Sequence, residues 1–115
     1  MKEKLSTLPY AERAVIEDLK ISNYLLNLSH PIGRTKAQFF NKFGFSAQNK
    51  LEFAEFLKLQ ARTGVAFLTE TTPYGSKYVV DGSVFTPTGK AITLRSVWML
   101  KNEIPYLVTA YPIKK

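Results

Sequence analysis

Hydrophobic and polar positions in this chain follow two different periods, and the change falls at Gly64. Before it the spacing is helical. Leu19, Ser22, Leu25 and Leu26 recur at one-turn intervals with Tyr24 beside them, and Glu17 and Asp18 suit the start of a helix. Pro31 disfavours helical geometry at His30, so this first helix is expected to stop near Asn27. A second helix is expected to start at Gly33 or Thr35, with Ala37, Phe39, Phe40 and Phe43 as its apolar face and Gly44 just beyond its end. A third is expected from Asn49 as N-cap, burying Leu51, Ala54, Phe56 (or Glu55), Leu57 and Ala61, and ending at Gly64. The short link between the last two predicts an antiparallel hairpin. Ala14-Val15-Ile16 reads as an edge strand or a first helical turn, and residues 1–10, broken by Pro9, as a loose lead-in.

After Gly64 the chain turns to β formers separated by turn residues. Strands are expected at 65–72, 77–85, 91–101 and 106–111, with turns at Pro73-Tyr74-Gly75-Ser76, Pro87-Thr88-Gly89-Lys90 and Asn102-Glu103-Ile104-Pro105. Gly82 suggests a bend or bulge. Short connections predict an antiparallel meander. Alternation places Ile92, Leu94, Ser96, Trp98 and Leu100 on one face of the third strand, and Thr93, Arg95, Val97 and Met99 on the other. On the last strand Leu107, Thr109 and Tyr111 alternate with Tyr106, Val108 and Ala110. The expected fold class is α+β: about three N-terminal helices packed on one face of a C-terminal four-stranded antiparallel sheet. At 115 residues the chain is expected to form a single domain over 1–115.

Composition narrows the chemistry. Without cysteine there are no disulfides, thiolate metal sites or cysteine nucleophiles. One histidine makes a structural zinc site improbable, the few acids are scattered, and Gly33, Gly44 and Gly64 are too far apart for a phosphate loop. No cofactor is expected. Neither a signal peptide nor a membrane span is legible, so the expected location is cytoplasmic, or the chain is cargo for separate delivery machinery. The net charge is +7, and its distribution is uneven. Residues 1–29 balance four cations against four anions, 30–64 carry six against two, and 65–115 six against three. The excess begins at His30 and points to a polyanionic partner: RNA, DNA or an acidic protein.

What remains is histidine, cation and hydroxyl chemistry near a phosphate. A metal-free ribonuclease needs a base for the ribose 2′-OH, cations for the phosphorus-centred transition state and an acid for the leaving 5′-oxygen. His30 titrates near neutrality, and Arg34 and Lys36 follow it at the start of a helix, where backbone N–H groups favour anions. Ser96, Thr109 and Arg95 are candidate hydrogen-bonding groups on the sheet, and Trp98, Tyr74, Tyr78, Tyr106 and Tyr111 candidate stacking surfaces. Each also has a plainer reading: a loop histidine, a solvated helix face, strand hydroxyls and core aromatics.

The patterns His30-Pro31-x-Gly33-x-x-Lys36-Ala37-x-Phe39-Phe40, Thr72-Pro73-Tyr74-Gly75-x-Lys77-Tyr78, Thr86-Pro87-x-Gly89, Val97-Trp98 and Leu107-Val108-Thr109-Ala110-Tyr111-Pro112 resemble an uncharacterised bacterial family of about this size. Its members stand alone or end larger secreted or toxin-like proteins. More remotely it resembles the ribonuclease toxin superfamily that includes barnase, EndoU, colicin D and RelE-type toxins. That resemblance implies His30 with Lys36, and Ser96-Val97-Trp98, as counterparts of the histidine, lysines and strand Ser-x-Trp of colicin D-like enzymes. Those enzymes carry lysines just before the histidine, whereas Lys36 follows His30.

The expected function is a toxin-like, metal-independent endoribonuclease cleaving tRNA or mRNA, with His30, Lys36, Ser96 and Thr109 as catalytic residues. Arg34, Arg95, Trp98 and Tyr111 would bind substrate. The expected partners are RNA and an acidic antitoxin or immunity protein. The alternative is a non-catalytic module that binds RNA or an acidic protein; a third reading leaves the histidine stretch merely shaping a loop. Convergence of His30, Lys36, Ser96 and Thr109 in one cleft separates the readings.

Overall fold

The computed structural model describes residues 3–5, 7–17 and 34–113. In chain order these form β1 (Glu3–Leu5), a 3-10 turn (Ala11–Arg13), α1 (Arg34–Lys42), a second 3-10 turn (Ala47–Asn49), α2 (Lys50–Thr63), β2 (Val65–Thr72), β3 (Gly75–Phe85), β4 (Ala91–Lys101) and β5 (Ile104–Pro112). The α+β class and the antiparallel meander are as expected. The helices sit mid-chain rather than at the N-terminus, because a strand precedes them. The first expected helix lies largely on residues 18–33, outside the described residues.

The sheet has five strands in the order β1-β2-β3-β4-β5, all neighbours antiparallel. The additional strand, β1, lies within the segment expected to be loose; Glu3 pairs with Leu68 and Leu5 with Ala66. Val15 forms a parallel bridge to Tyr106: its N–H donates to Pro105 O (2.8 Å) and its carbonyl accepts from Leu107 N (3.0 Å). Pro105, having no N–H, is tolerated there because β5 is an edge strand.

The core lies between α2 and one face of the sheet. Phe53, Phe56, Leu57, Gln60 and Ala61 are the buried positions of α2, spaced at three and four residues. Phe56, Leu57 and Ala61 are buried as expected, whereas Leu51, expected on that face, is 77% exposed and Phe53 and Gln60 take inward positions that were not expected. Phe40, Phe45, Phe53 and Phe56 join the two helices through ring contacts at 4.6–4.9 Å. The α1 helix stops where Gly44 adopts φ +100°. Asn49 does not cap α2 with its side chain; it closes the preceding turn instead, Oδ1 accepting from Ser46 N (2.7 Å).

Gly82 is not a bulge. Its register is regular, opposite Leu94. The bulges fall between Leu68 and Glu70, and in β5 opposite Val97/Trp98. Gly82 is glycine because the end of α2 touches the sheet there. A Cβ on Gly82 would lie 2.9 Å from Gly64 Cα, and one on Gly64 would meet Val80 Cγ1 at 2.7 Å and Asp81 O at 2.8 Å. Gly82→Ala is expected to destabilise the fold by about 1–3 kcal/mol, because backbone cannot yield as a side-chain tip can. Urea unfolding checks it; unchanged stability would mean that α2 does not approach so closely.

Candidate functional site

The pleat divides the expected site residues between opposite faces of the sheet. Ser96 and Trp98 face α2 and are fully buried (0% exposed). Trp98 Nε1 donates to Ser96 Oγ (2.8 Å), Ser96 Oγ donates to Gln60 Oε1 (2.6 Å), and Gln60 Nε2 donates to the carbonyls of Val80 and Leu94 (3.0 Å each). The Ser96 proton is committed to Gln60 and the indole ring is enclosed by core. This corrects two expectations: Ser96 cannot reach a phosphate, and Trp98 cannot stack on a base. Tyr78, opposite Trp98 in register, is also buried. A polar chain inside the core is stable only when each member is satisfied, as here.

The other face brings several expected residues together. Arg95 of β4 lies between Asp81 of β3 and Tyr111 of β5, each its partner in register. Its Nε and Nη2 donate to Asp81 Oδ1 and Oδ2 (2.8 and 2.9 Å), a bidentate pair with both side chains about a quarter to a third exposed. The guanidinium is held above its usual range, first by the Asp81 hydrogen bonds. Partial burial opposes this, while the Asp81 charge and the Tyr111 oxygen reinforce it, so Arg95 is a permanent cation. Lys36 Nζ lies 6.0 Å from the centroid of the Tyr111 ring, bringing the first turn of α1 to the same place.

Thr109 joins this face through the bulge in β5. Regular alternation would put Leu107, Thr109 and Tyr111 together. The extra residue, Val108, turns Leu107 into the core beside Trp98 and leaves Thr109 opposite Val97, on the face of Arg95 and Tyr111. Thr109 Oγ1 is enclosed yet has no hydrogen-bond partner among the described residues. Leaving such a group unpaired costs about 1–3 kcal/mol, which makes it notable beside a charged cluster. His30 lies outside the described residues. Arg34 begins α1, and its side chain is likewise undescribed.

The sequence reading missed Asp81 and Gln60. A signal existed for Asp81: a hairpin turning about Thr88 pairs positions equidistant from it, and that links Asp81 to Arg95. Gln60 was visible as the one polar position within an otherwise apolar helix stripe. Among the described residues, no three His, Cys, Asp or Glu side chains are grouped so as to hold a metal ion, and no helix is long and apolar enough to cross a membrane.

A family model described as a domain of unknown function, DUF6883, matches residues 7–114, and the chain belongs to that family. No curated protein matches it. Among solved structures, it is similar to a chain of the contact-dependent growth inhibition toxin–immunity protein complex from Klebsiella pneumoniae 342. The TM-score is 0.67 and the identity 18%, over 92% of this chain and 98% of the other. At that identity the likeness establishes a shared fold.

The coupling of Asp81 to Arg95 can be measured directly. Asp81→Asn is expected to cost about 1.5–3 kcal/mol, and a double-mutant cycle with Arg95→Gln to show a coupling above about 1 kcal/mol. Additive losses would show that the pair is only a surface contact.

Proposed function

We propose that this protein is a toxin-like, metal-independent endoribonuclease acting on tRNA or mRNA, with its phosphate site on the sheet face that carries Lys36, Arg95, Thr109 and Tyr111. The observation that supports it most is the meeting of two cations, Lys36 and Arg95, at the phenol of Tyr111, on the side of the sheet away from α2. The net charge of +7 and the fold shared with a chain of a toxin–immunity complex support the same reading.

In this mechanism the 2′-oxygen of the substrate gives up its proton to a base, attacks phosphorus and displaces the 5′-oxygen, which takes a proton as it leaves. The products are a 2′,3′-cyclic phosphate and a 5′-hydroxyl. His30 is assigned as the group that moves these protons, by its titration range and its position six residues before Lys36. Lys36 supplies net positive charge. Arg95, neutralised at a distance by Asp81, acts through its remaining N–H groups as a fixed donor. An acidic protein covering this face would inhibit the enzyme, the role an immunity or antitoxin partner would fill.

The test is cleavage of total RNA in EDTA. Wild type is expected to cut, and His30→Ala and Lys36→Ala to fall by about 10²-fold or more. Ser96→Ala is expected to lower stability by about 1–3 kcal/mol while the folded protein keeps its activity, since it orphans only core partners. If wild type cleaves nothing, the enzyme reading falls; salt-sensitive RNA binding without cleavage would then mark a binding module.

A further inference from the structure

Next to the Arg95–Asp81 pair, where α2 runs into β2, lies a pocket of about 460 Å³ lined by Asp81, Gly82, Ser83 and Thr93 of β3 and β4 and by Thr63, Gly64 and Val65, with Ile113 completing the lining. Its floor is β3 and β4 just beyond the ion pair. Ser83 is opposite Thr93 in register, and their hydroxyl oxygens are 2.7 Å apart. Val65 and Ile113 provide the apolar part of the lining.

We infer that this pocket is a nucleobase subsite, and that it favours bases carrying an exocyclic amino group. The inference rests on the phosphate-site reading given above. Thr93 is two residues from Arg95 on one strand face, so the hydroxyl pair stands about 7 Å along β4 from the guanidinium's origin. That separation suits the phosphate and the base of one nucleotide. The walls suit the faces of a flat ring, and the edge groups suit its rim. Each Asp81 oxygen accepts from Arg95 and retains further lone-pair capacity, so an amino N–H can donate to it. The paired hydroxyls, each able to donate or accept, complete the edge contacts. Uracil, with a carbonyl where cytosine has an amine, places an acceptor against that carboxylate and is disfavoured.

Calorimetric titration of the intact protein with inorganic phosphate, 3′-CMP and 3′-UMP tests this. The expected result is 3′-CMP binding about tenfold or more tightly than phosphate and about fivefold more tightly than 3′-UMP. Thr93→Val, and independently Ser83→Ala, is expected to weaken 3′-CMP several-fold and leave phosphate unchanged, whereas Arg95→Gln weakens all three ligands. Equal affinities for 3′-CMP and phosphate, or indifference of 3′-CMP to both hydroxyl variants, overturns the subsite. RNA cleavage together with that negative result leaves the enzyme reading intact. Selective, hydroxyl-dependent binding of 3′-CMP without RNA cleavage upholds the subsite and removes the enzyme.

Discussion

One side-chain amide, that of Gln60, ties the two layers of this protein together. Helix α2 lies so close to the sheet that Gly64 meets Gly82 backbone to backbone, and at that distance no apolar side chain one turn earlier would suffice. Gln60 instead reaches into the sheet, donating to carbonyls of β3 and β4 and accepting from Ser96, which accepts from Trp98. These bonds are directional, so they fix the register of α2 over the sheet where hydrophobic contact alone would permit sliding. The unsatisfied alternative in a dry core is costly enough to enforce the arrangement.

This anchoring assigns each sheet face its work. The face under α2 is committed to packing, with Trp98, Leu94, Val80, Leu107 and Ala110 as its centre. Polar groups there serve the core. The opposite face carries Asp81, Arg95, Thr109 and Tyr111 in adjacent register, and it owes Thr109 to a single extra residue in β5. Were Val108 paired in regular alternation instead of bulged, the outer part of the strand would turn over and Thr109 and Tyr111 would face away from Arg95. The bulge is therefore as much a part of the candidate site as the side chains it aims.

The meander was legible from the sequence because turn residues and period-two alternation agree over four strands. So were the ends of both described helices, where Gly44 and Gly64 stop them. The pairing of β1 was not legible: three residues carry too little pattern, and only β2 beside them makes them a strand. Of the four side chains whose convergence was in question, Ser96 turns into the core while Thr109 faces the other side of the sheet; Lys36 and Arg95 meet at Tyr111, and Trp98 stays in the core. A Ser-x-Trp pair on a strand has the same sequence whether it faces a cleft or a helix. The facing was decided by Gln60, whose partners lie 20, 34 and 36 residues away. The facing of Thr109 likewise depended on a bulge that no local pattern announces.

Electrostatics decides how the outer face can handle an anion. The Arg95–Asp81 pair is neutral as a unit, so at a distance it attracts nothing; up close it offers rigid N–H groups held at one angle by two bonds. The second cation at Tyr111 is that of Lys36. Its place is set by α1: Ala37 beside it and Phe40 one turn later are both buried, Phe40 against Phe53 of α2. That anchoring fixes the backbone that carries Lys36 beside Tyr111 near the end of β5. In the proposed site the cation carried by α1 and the fixed fork of Arg95 come from different layers of the fold, so a change that loosened α1 would displace Lys36 while leaving the orienting geometry of Arg95 in place.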